Sequence, residues 1–423
     1  MTVSTRTRRS RYLVQIESVD GFDTNLVPII RSGQTATFTR GGATNAAESL
    51  DSLLKMYLVN TNEPRSQFVT DATDGISKPA WLLEAGSTNL VVQASHLDTT
   101  WAAVGTPTFT SSGHTTAGVR LNLIGDDAAG TLEGYTQTVT FTGNAAKAVS
   151  CYVKKGTSTS AAVRVRDTSA GADRLLAIVT WSGTVPSVAM TTGTYLGAIT
   201  HYDGVYRLLF QTTSVTAANT NSLQVYPATD AALSVANTGD LYAGGFQAEN
   251  ALVPSSYLDT TTATVTRTAD AFSIACNIIP QAMTVYAKWV EMGTTLYDAA
   301  GGVVYIGDAA GTDPDFYIGT DGGQKYRGVH YDKTSTAAAT PVIGNTVEGR
   351  AVLQSDGSVY FGQSINAAAE VVAATSATKT LGAAWSGQTL YVNSLGTASK
   401  GLMALLSIRI AAGTKTLAQM QAG

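Results

Sequence analysis

The chemistry open to this chain is bounded first by its histidines. There are four, His96, His114, His201 and His330. None has a partner at metal-ligand spacing, and none sits in a motif that would activate a nucleophile. Serine is abundant, but no Gly-x-Ser-x-Gly elbow is present. Paired carboxylates could perform glycoside hydrolysis, and Asp126–Asp127, Asp313 with Asp315, and Glu291 are the candidates. A concanavalin-like glycanase would need acidic residues alternating along one strand face, of the Glu-x-Asp-x-x-Glu kind, and no such triplet occurs. Asp308, Asp313, Asp315 and Asp321 fall close together in loop-rich sequence. They suit either calcium ligation or ordinary turns. The expectation is therefore no catalytic residue, no assigned metal site and no cofactor.

Aromatic side chains near loops offer a different chemistry. A ring packs against the C–H face of a sugar while neighbouring polar groups take its hydroxyls. Trp385, Tyr326 and Tyr331 are the candidate carbohydrate-binding residues, with Trp101 and Trp181 also near loops.

The elements that must position these residues are strands. The chain has 423 residues, 44% hydrophobic and only 14% charged, and is rich in Ala, Thr, Ser and Gly. Thr, Val and Tyr suit pleated, half-buried surfaces, and the frequent Gly and Asn supply turns. The predicted fold class is all-β, with two β-sandwich, jelly-roll-like domains after a small irregular, mostly β amino-terminal segment. The boundaries are 1–86, 87–259 and 260–423. Strands recur every ten to fifteen residues or so across the middle section. Alternation in Val149–Lys155 and Ala162–Arg166 puts one face inward. Residues 46–58 fit a short helix or a strand with loops, Asp356-Gly357 predicts a tight hairpin, and 416–421 predicts a short terminal helix. The stretch from Gly244 to Asp270 is the seam between the two sandwiches.

Net charge is −4, so general attraction to nucleic acid is not expected; Arg6, Arg8, Arg9 and Arg11 form a local basic exception. Cys151 and Cys276 are the only cysteines and read as two buried thiols. No signal peptide and no membrane-length apolar run is seen.

Two blocks of sequence carry a resemblance. One runs through FTRGGAT (38–44), NEPR (62–65) and WLLEAGSTNLVVQASHLDTTW (81–101); the other is FQAE (246–249), PSSY (254–257) and VTRTAD (265–270). Together they resemble a block found in virion proteins of tailed bacteriophages, where it flanks a jelly roll similar to carbohydrate-binding modules. SVYFGQSI (358–365) and LLSIRIAAGTKTLAQMQ (405–421) are similar to a concanavalin A-like, laminin-G-like sandwich. The resemblance implies structural roles for Arg40, Arg65, Glu84, Asn89, Trp101, Gln247, Glu249, Tyr257, Arg267 and Asp270.

It also implies a non-enzymatic structural protein of a phage particle, with residues 1–86 as the particle-attachment segment and the sandwiches projecting to bind a host-surface glycan. The implied partners are other virion proteins and copies of the chain itself, with a trimer as the first expectation. Neither nucleic acid nor membrane insertion is expected. The particle would assemble in the host cytoplasm and leave by lysis. Two alternatives stand beside this: a capsid decoration or head-fibre protein, and a glycan-active enzyme or its binding module.

Overall fold

The structure is a computed structural model. It describes residues 14–17, 29–30, 36–39, 48–50, 56–58, 65–84, 86–112, 115–116, 119–230, 233, 237–275, 282–292, 301–307, 314–320, 326–330, 333–336, 342, 344–356, 358–373, 389–392, 394–395, 398–399, 403–412 and 414–421. The fold is all-β, as the composition predicts: among the described residues the sheets are antiparallel and there is one short α-helix, Leu417–Gln421. The chain forms two compact units. One contains 1–40, 62–85 and 269–423; the other contains 41–61 and 86–268.

This path departs from the expected boundaries. Residues 1–86 do not stand apart as a segment. Val14–Glu17 and Ile76–Leu83 pair with the late strand Met403–Ala412, and Ala36–Thr39 pairs with Ala271–Ala275. Short strands with unpaired backbone groups gain hydrogen bonds by joining an existing sheet edge, and such partners lie too far along the chain to be read locally. The helix-or-strand choice at 46–58 resolves as strand where it is described: Glu48–Leu50 pairs antiparallel with Met56–Leu58.

The first unit is a two-sheet sandwich. Its nine-stranded sheet centres on Met283–Glu291, which pairs with Thr346–Leu353 on one side and Met403–Ala412 on the other. Alternation does the sorting. Met283, Val285, Ala287 and Trp289 point into the core with Val347, Ala351, Leu353, Ile408 and Ile410. The facing seven-stranded sheet contributes Phe272, Val304, Ile306, Phe316, Ile318 and Leu390 to the same core. The predicted hairpin is present, closed by Gln354 N donating to Ser358 O at 2.9 Å.

The second unit packs a seven-stranded sheet against one of six. Its core includes Val149, Cys151, Val153, Val163, Val165, Leu208, Phe210, Leu223, Val225 and Phe246. The strand Ala148–Lys155 is buried on its outer side as well, at Ser150 and Tyr152. The segment after the closing strand Gly239–Glu249 accounts for this. It folds back so that Tyr257 meets Tyr152 edge-on at 5.4 Å and Ser255 O accepts from the Arg207 guanidinium at 2.6 Å. Gly245 makes the register change possible. It sits opposite the pairing shift between Ser150 and Tyr152 with φ +55°, the left-handed conformation of a bulge glycine.

Most of the implied structural residues meet in this fold-back. Asn89 is fully buried; its Nδ2 donates to Phe246 O and Leu258 O, and its Oδ1 accepts from Val91 N and Ala248 N. Gln247 Oε1 accepts from Leu258 N at 2.7 Å. Glu249 accepts from Ser87 Oγ, Ser255 N and Ser255 Oγ. Tyr257 OH donates to Asp259 Oδ1, and Arg267 Nη1 donates to Ser256 Oγ. Trp101 packs on Phe246 with ring centroids 4.8 Å apart. In the first unit, Asp270 and Glu84 exchange backbone and side-chain bonds. The chain's return near Glu84 is thus held by Asp270, while Glu249 anchors the fold-back. Arg40 and the side chain of Arg65 lie outside the described residues.

Candidate functional site

The first unit has a cavity of about 550 Å³ on the solvent side of its nine-stranded sheet, lined mostly by charged and hydroxyl side chains. The sheet register builds it. Tyr286 and Lys288 lie two apart on one strand, so they leave the same face. Lys288 stands opposite Glu348 on one neighbour and Ser407 on the other. Tyr286 stands opposite Arg350 and Arg409. Ser364 completes the row beyond Glu348. The hairpin Arg65–Asp71 with Ile76–Leu83 brings Asp71, Thr73 and Lys78 to one side, and the terminal helix brings Leu417 and Gln421 to the other.

The charges are closely coupled. Lys288 Nζ lies 2.7 Å from Asp71 Oδ2 and 3.3 Å from Glu348 Oε1. Lys78 Nζ donates to Asp71 Oδ2 at 2.6 Å and to Asp74 Oδ2 at 2.5 Å. Tyr286 OH donates to Glu348 Oε1 at 2.9 Å, and Gln421 Nε2 donates to Glu348 Oε2 at 2.6 Å. The Arg409 guanidinium carbon lies 5.9 Å from the centre of the Tyr286 ring. Burial acts to raise the Asp71 pKa, but the Lys288 and Lys78 ammonium groups outweigh it and hold the acid well below the usual carboxylate range. Burial and then the Glu348 charge push the Tyr286 phenol far above its ordinary value. Asp71 is therefore a fixed acceptor and Tyr286 a fixed donor at neutral pH.

These residues are not the ones singled out from the sequence. Tyr326, expected as a sugar platform, is fully buried in the core. It meets Trp289 edge-on at 5.8 Å and donates its hydroxyl to Glu291 Oε1 at 2.8 Å. A ring enclosed this way has no face for a ligand. Trp385 and Tyr331 lie outside the described residues, as do His114, Cys276, Asp308, Asp313 and Asp321. Trp181 is half-buried against the second unit's core. Glu291 accepts from Trp289 Nε1 and Tyr326 within the core. Asp126 and Glu133 bind loop amides: Asp126 accepts from Ala128 N and Glu133 N, and Glu133 accepts from Thr106 N and Asp127 N. Among the described residues, no group of three or more His, Cys, Asp or Glu could hold a metal ion, and no helix is long and apolar enough to cross a membrane.

The cavity residues were missed because they are scattered from Asp71 to Gln421. One signal was available: Tyr286-x-Lys288 and Glu348-x-Arg350 place polar groups at alternate positions within apolar strands. Period two puts each pair on one face, but the partner strand and its register are set by the fold.

No family model matches the chain, and no curated protein matches it. Among solved structures, it is similar to a Trypanosoma rangeli sialidase in complex with 2-keto-3-deoxy-D-glycero-D-galacto-2,3-difluoro-nononic acid, at 7% identity and TM-score 0.26 over 74% of this chain and 61% of that one. A mutant of Trypanosoma rangeli sialidase displaying trans-sialidase activity matches at 8% identity and TM-score 0.27, over 86% and 53%. A further Trypanosoma rangeli sialidase matches at 8% identity and TM-score 0.26, over 94% and 95%. The chain thus spans about three-fifths and half of the length of the first two. The expectation of a non-enzymatic structural protein of a phage particle finds no support in these matches, whose titles name sialidases. No residue of the cavity is assigned from them.

Proposed function

We propose that the chain recognises carbohydrate, as a glycan-active protein or its binding module, and that the cavity on the nine-stranded sheet holds the sugar. The observation that carries this reading is the alternation of fixed donors and acceptors around a space of about 550 Å³. A sugar hydroxyl both donates and accepts, so it is best met by a carboxylate and an ammonium side by side. Asp71 with Lys78, and Glu348 with Lys288, are such pairs. Thr73, Ser364 and Ser407 add hydroxyl and backbone partners in the same wall. The volume falls within the roughly 300–1,000 Å³ of small-ligand sites. The ion pairs hold one another in place, so little side-chain ordering remains to be done on binding.

The test is calorimetric titration with neutral and acidic mono- and oligosaccharides, together with release of nitrophenol from aryl glycosides. Ala368 is exposed at the cavity wall and takes no part in the ion pairs. Ala368→Trp should block the space and weaken saccharide binding by about tenfold or more, a loss of about 1.4 kcal/mol. Lys78→Gln should weaken it without closing the space. Absence of binding across the panel, or binding indifferent to both substitutions, would overturn the reading.

A further inference from the structure

The six-stranded sheet of the second unit has a solvent face with its own chemistry. Strand Ser160–Asp167 is internal to that sheet, between Ala172–Ser182 and Asn221–Tyr226. Val163 and Val165 point into the core, so Arg164 and Arg166 leave by the opposite face. Register aligns two rows across four strands. One row is Thr136, Gln224, Arg164 and Leu176; the other is Thr138, Ser222, Arg166 and Asp173. Three strand spacings make each row about 14 Å long.

Charge along these rows does not cancel. Arg164 Nε and Arg166 Nη1 both donate to the same oxygen, Asp173 Oδ1, at 2.7 and 3.0 Å. One carboxylate thus serves two guanidinium groups, in a chain whose net charge is −4. The nearby Asp167 is already occupied by Arg174, at 2.7 Å, and by Asn219 and Ala170 N. The Arg166 side chain keeps 31% exposure and forms no other hydrogen bond to a described residue. Beside the pair, the Gln224 amide is oriented. Its Oε1 accepts from Tyr226 OH at 3.1 Å and from Arg164 Nη1 at 3.4 Å, and its Nε2 donates to Ser222 Oγ at 3.2 Å. The Tyr226 ring lies against Gly134, where a Cβ would collide with it. Tyr226 is itself buried there with Ala162, Leu176 and Ile178, so the open part of the face lies at Arg164 and Arg166.

We infer that this face is a second binding site, which takes the carboxylate or sulfate group of an acidic saccharide on Arg164 and Arg166. A guanidinium presents planar, paired donors to an oxyanion. Two of them on one face can hold an anion from both sides, in competition with Asp173, which now takes a donor from each. Gln224 and Thr136, half-buried, and Thr138, exposed, lie along the rows to meet the hydroxyls of the same ligand. The saccharide part of the ligand rests on the carbohydrate reading above; the anion part rests on the arginine pair alone.

The test titrates the full chain with oligogalacturonate, a sulfated oligosaccharide of similar length, a neutral oligosaccharide and inorganic sulfate. Acidic oligosaccharides should bind, and more tightly at low salt. Arg166→Gln should weaken that binding about tenfold. Asp173→Asn removes the competing carboxylate and should strengthen it. This opposite sign separates ligand contact from simple loss of structure, and matching unfolding transitions confirm the fold of both variants. Ala368→Trp should leave acidic-ligand binding at this face unchanged, so failure at the cavity and failure here are distinguishable. No binding by the acidic probes, or binding that neither Arg166→Gln nor Asp173→Asn alters, overturns the site. Equal affinity for inorganic sulfate and the oligosaccharides overturns its saccharide part.

Discussion

Asn89→Ala is expected to be among the most damaging single substitutions in the second unit. The Asn89 side chain is fully buried and uses all four of its hydrogen-bonding positions on backbone. It donates to Phe246 O at 3.1 Å and Leu258 O at 2.9 Å, and accepts from Val91 N at 3.1 Å and Ala248 N at 3.2 Å. These contacts join the entry strand, the closing strand and the fold-back. Truncation strands two carbonyls and two amides at a fully buried position. Each stranded group costs about 1–3 kcal/mol. Local relaxation and entry of water recover part of the gross sum, so a loss of about 4 kcal/mol is expected. For a unit of this size each kcal/mol lowers the melting temperature by about 2–4 °C, giving a fall of about 8–16 °C. Calorimetry of the full chain, with urea unfolding followed by tryptophan fluorescence, measures it; Trp101 packs on Phe246 and reports this region. Asn89→Asp provides the paired measurement. It keeps the two acceptor contacts but turns an oxygen against two carbonyls, so its damage should be relieved as the pH falls and the acid protonates. A loss under about 1.5 kcal/mol for Asn89→Ala at unchanged urea slope would refute the reasoning.

Two further outcomes follow from the same structure. Gly245→Ala should destabilise the second unit by about 2–4 kcal/mol in urea unfolding, because the residue holds φ +55° and the new Cβ would stand 2.5 Å from Tyr152 Cδ2 and 2.7 Å from Val119 Cγ1. Asp71 has a native pKa below its ordinary 3.8. Its contribution to the first unit is therefore complete above about pH 4 and is lost as the pH falls through the lower native value. Acid titration of stability should show that loss in the wild type, and Asp71→Asn should flatten it.

The sequence carried the strand class and much of the packing, and it carried them for a local reason. Alternation in Val163-x-Val165 and Val149-x-Cys151 reports a face whatever the partner strand is. The Asp356-Gly357 hairpin and the helix after Gly413 are local in the same way. Asn89, Gln247 and Tyr257 were legible only through resemblance. Nothing in their spacing announces that they share hydrogen bonds between residues 89 and 258. Tyr326 shows the opposite error. Close to glycines and a lysine, it reads as an aromatic beside a loop, but its ring is buried and its hydroxyl is satisfied inside the core by Glu291. Such a partner removes the usual objection to burying a phenol. The independence expected of residues 1–86 failed because edge strands find their partners near the far end of the chain.

Both candidate sites obey one rule that the sequence states only in part. A sandwich takes every second residue of its inner strands for the core, so a polar residue between two apolar ones is sent to the solvent face. Lys288 lies between Ala287 and Trp289, and Arg164 between Val163 and Val165; each is placed by its neighbours. What the site then becomes is decided by register. Lys288 faces Glu348 and is brought within 3.3 Å of it, so the cavity is a balanced network of donors and acceptors. Arg164 faces Gln224 and Leu176, neither of which carries a charge, so the positive charge on that sheet is only partly neutralised by Asp173. A one-residue slip of either pairing would turn these side chains inward. The core that fixes the register thereby fixes the two chemistries: a self-paired cavity suited to hydroxyls, and a cationic face suited to an anion.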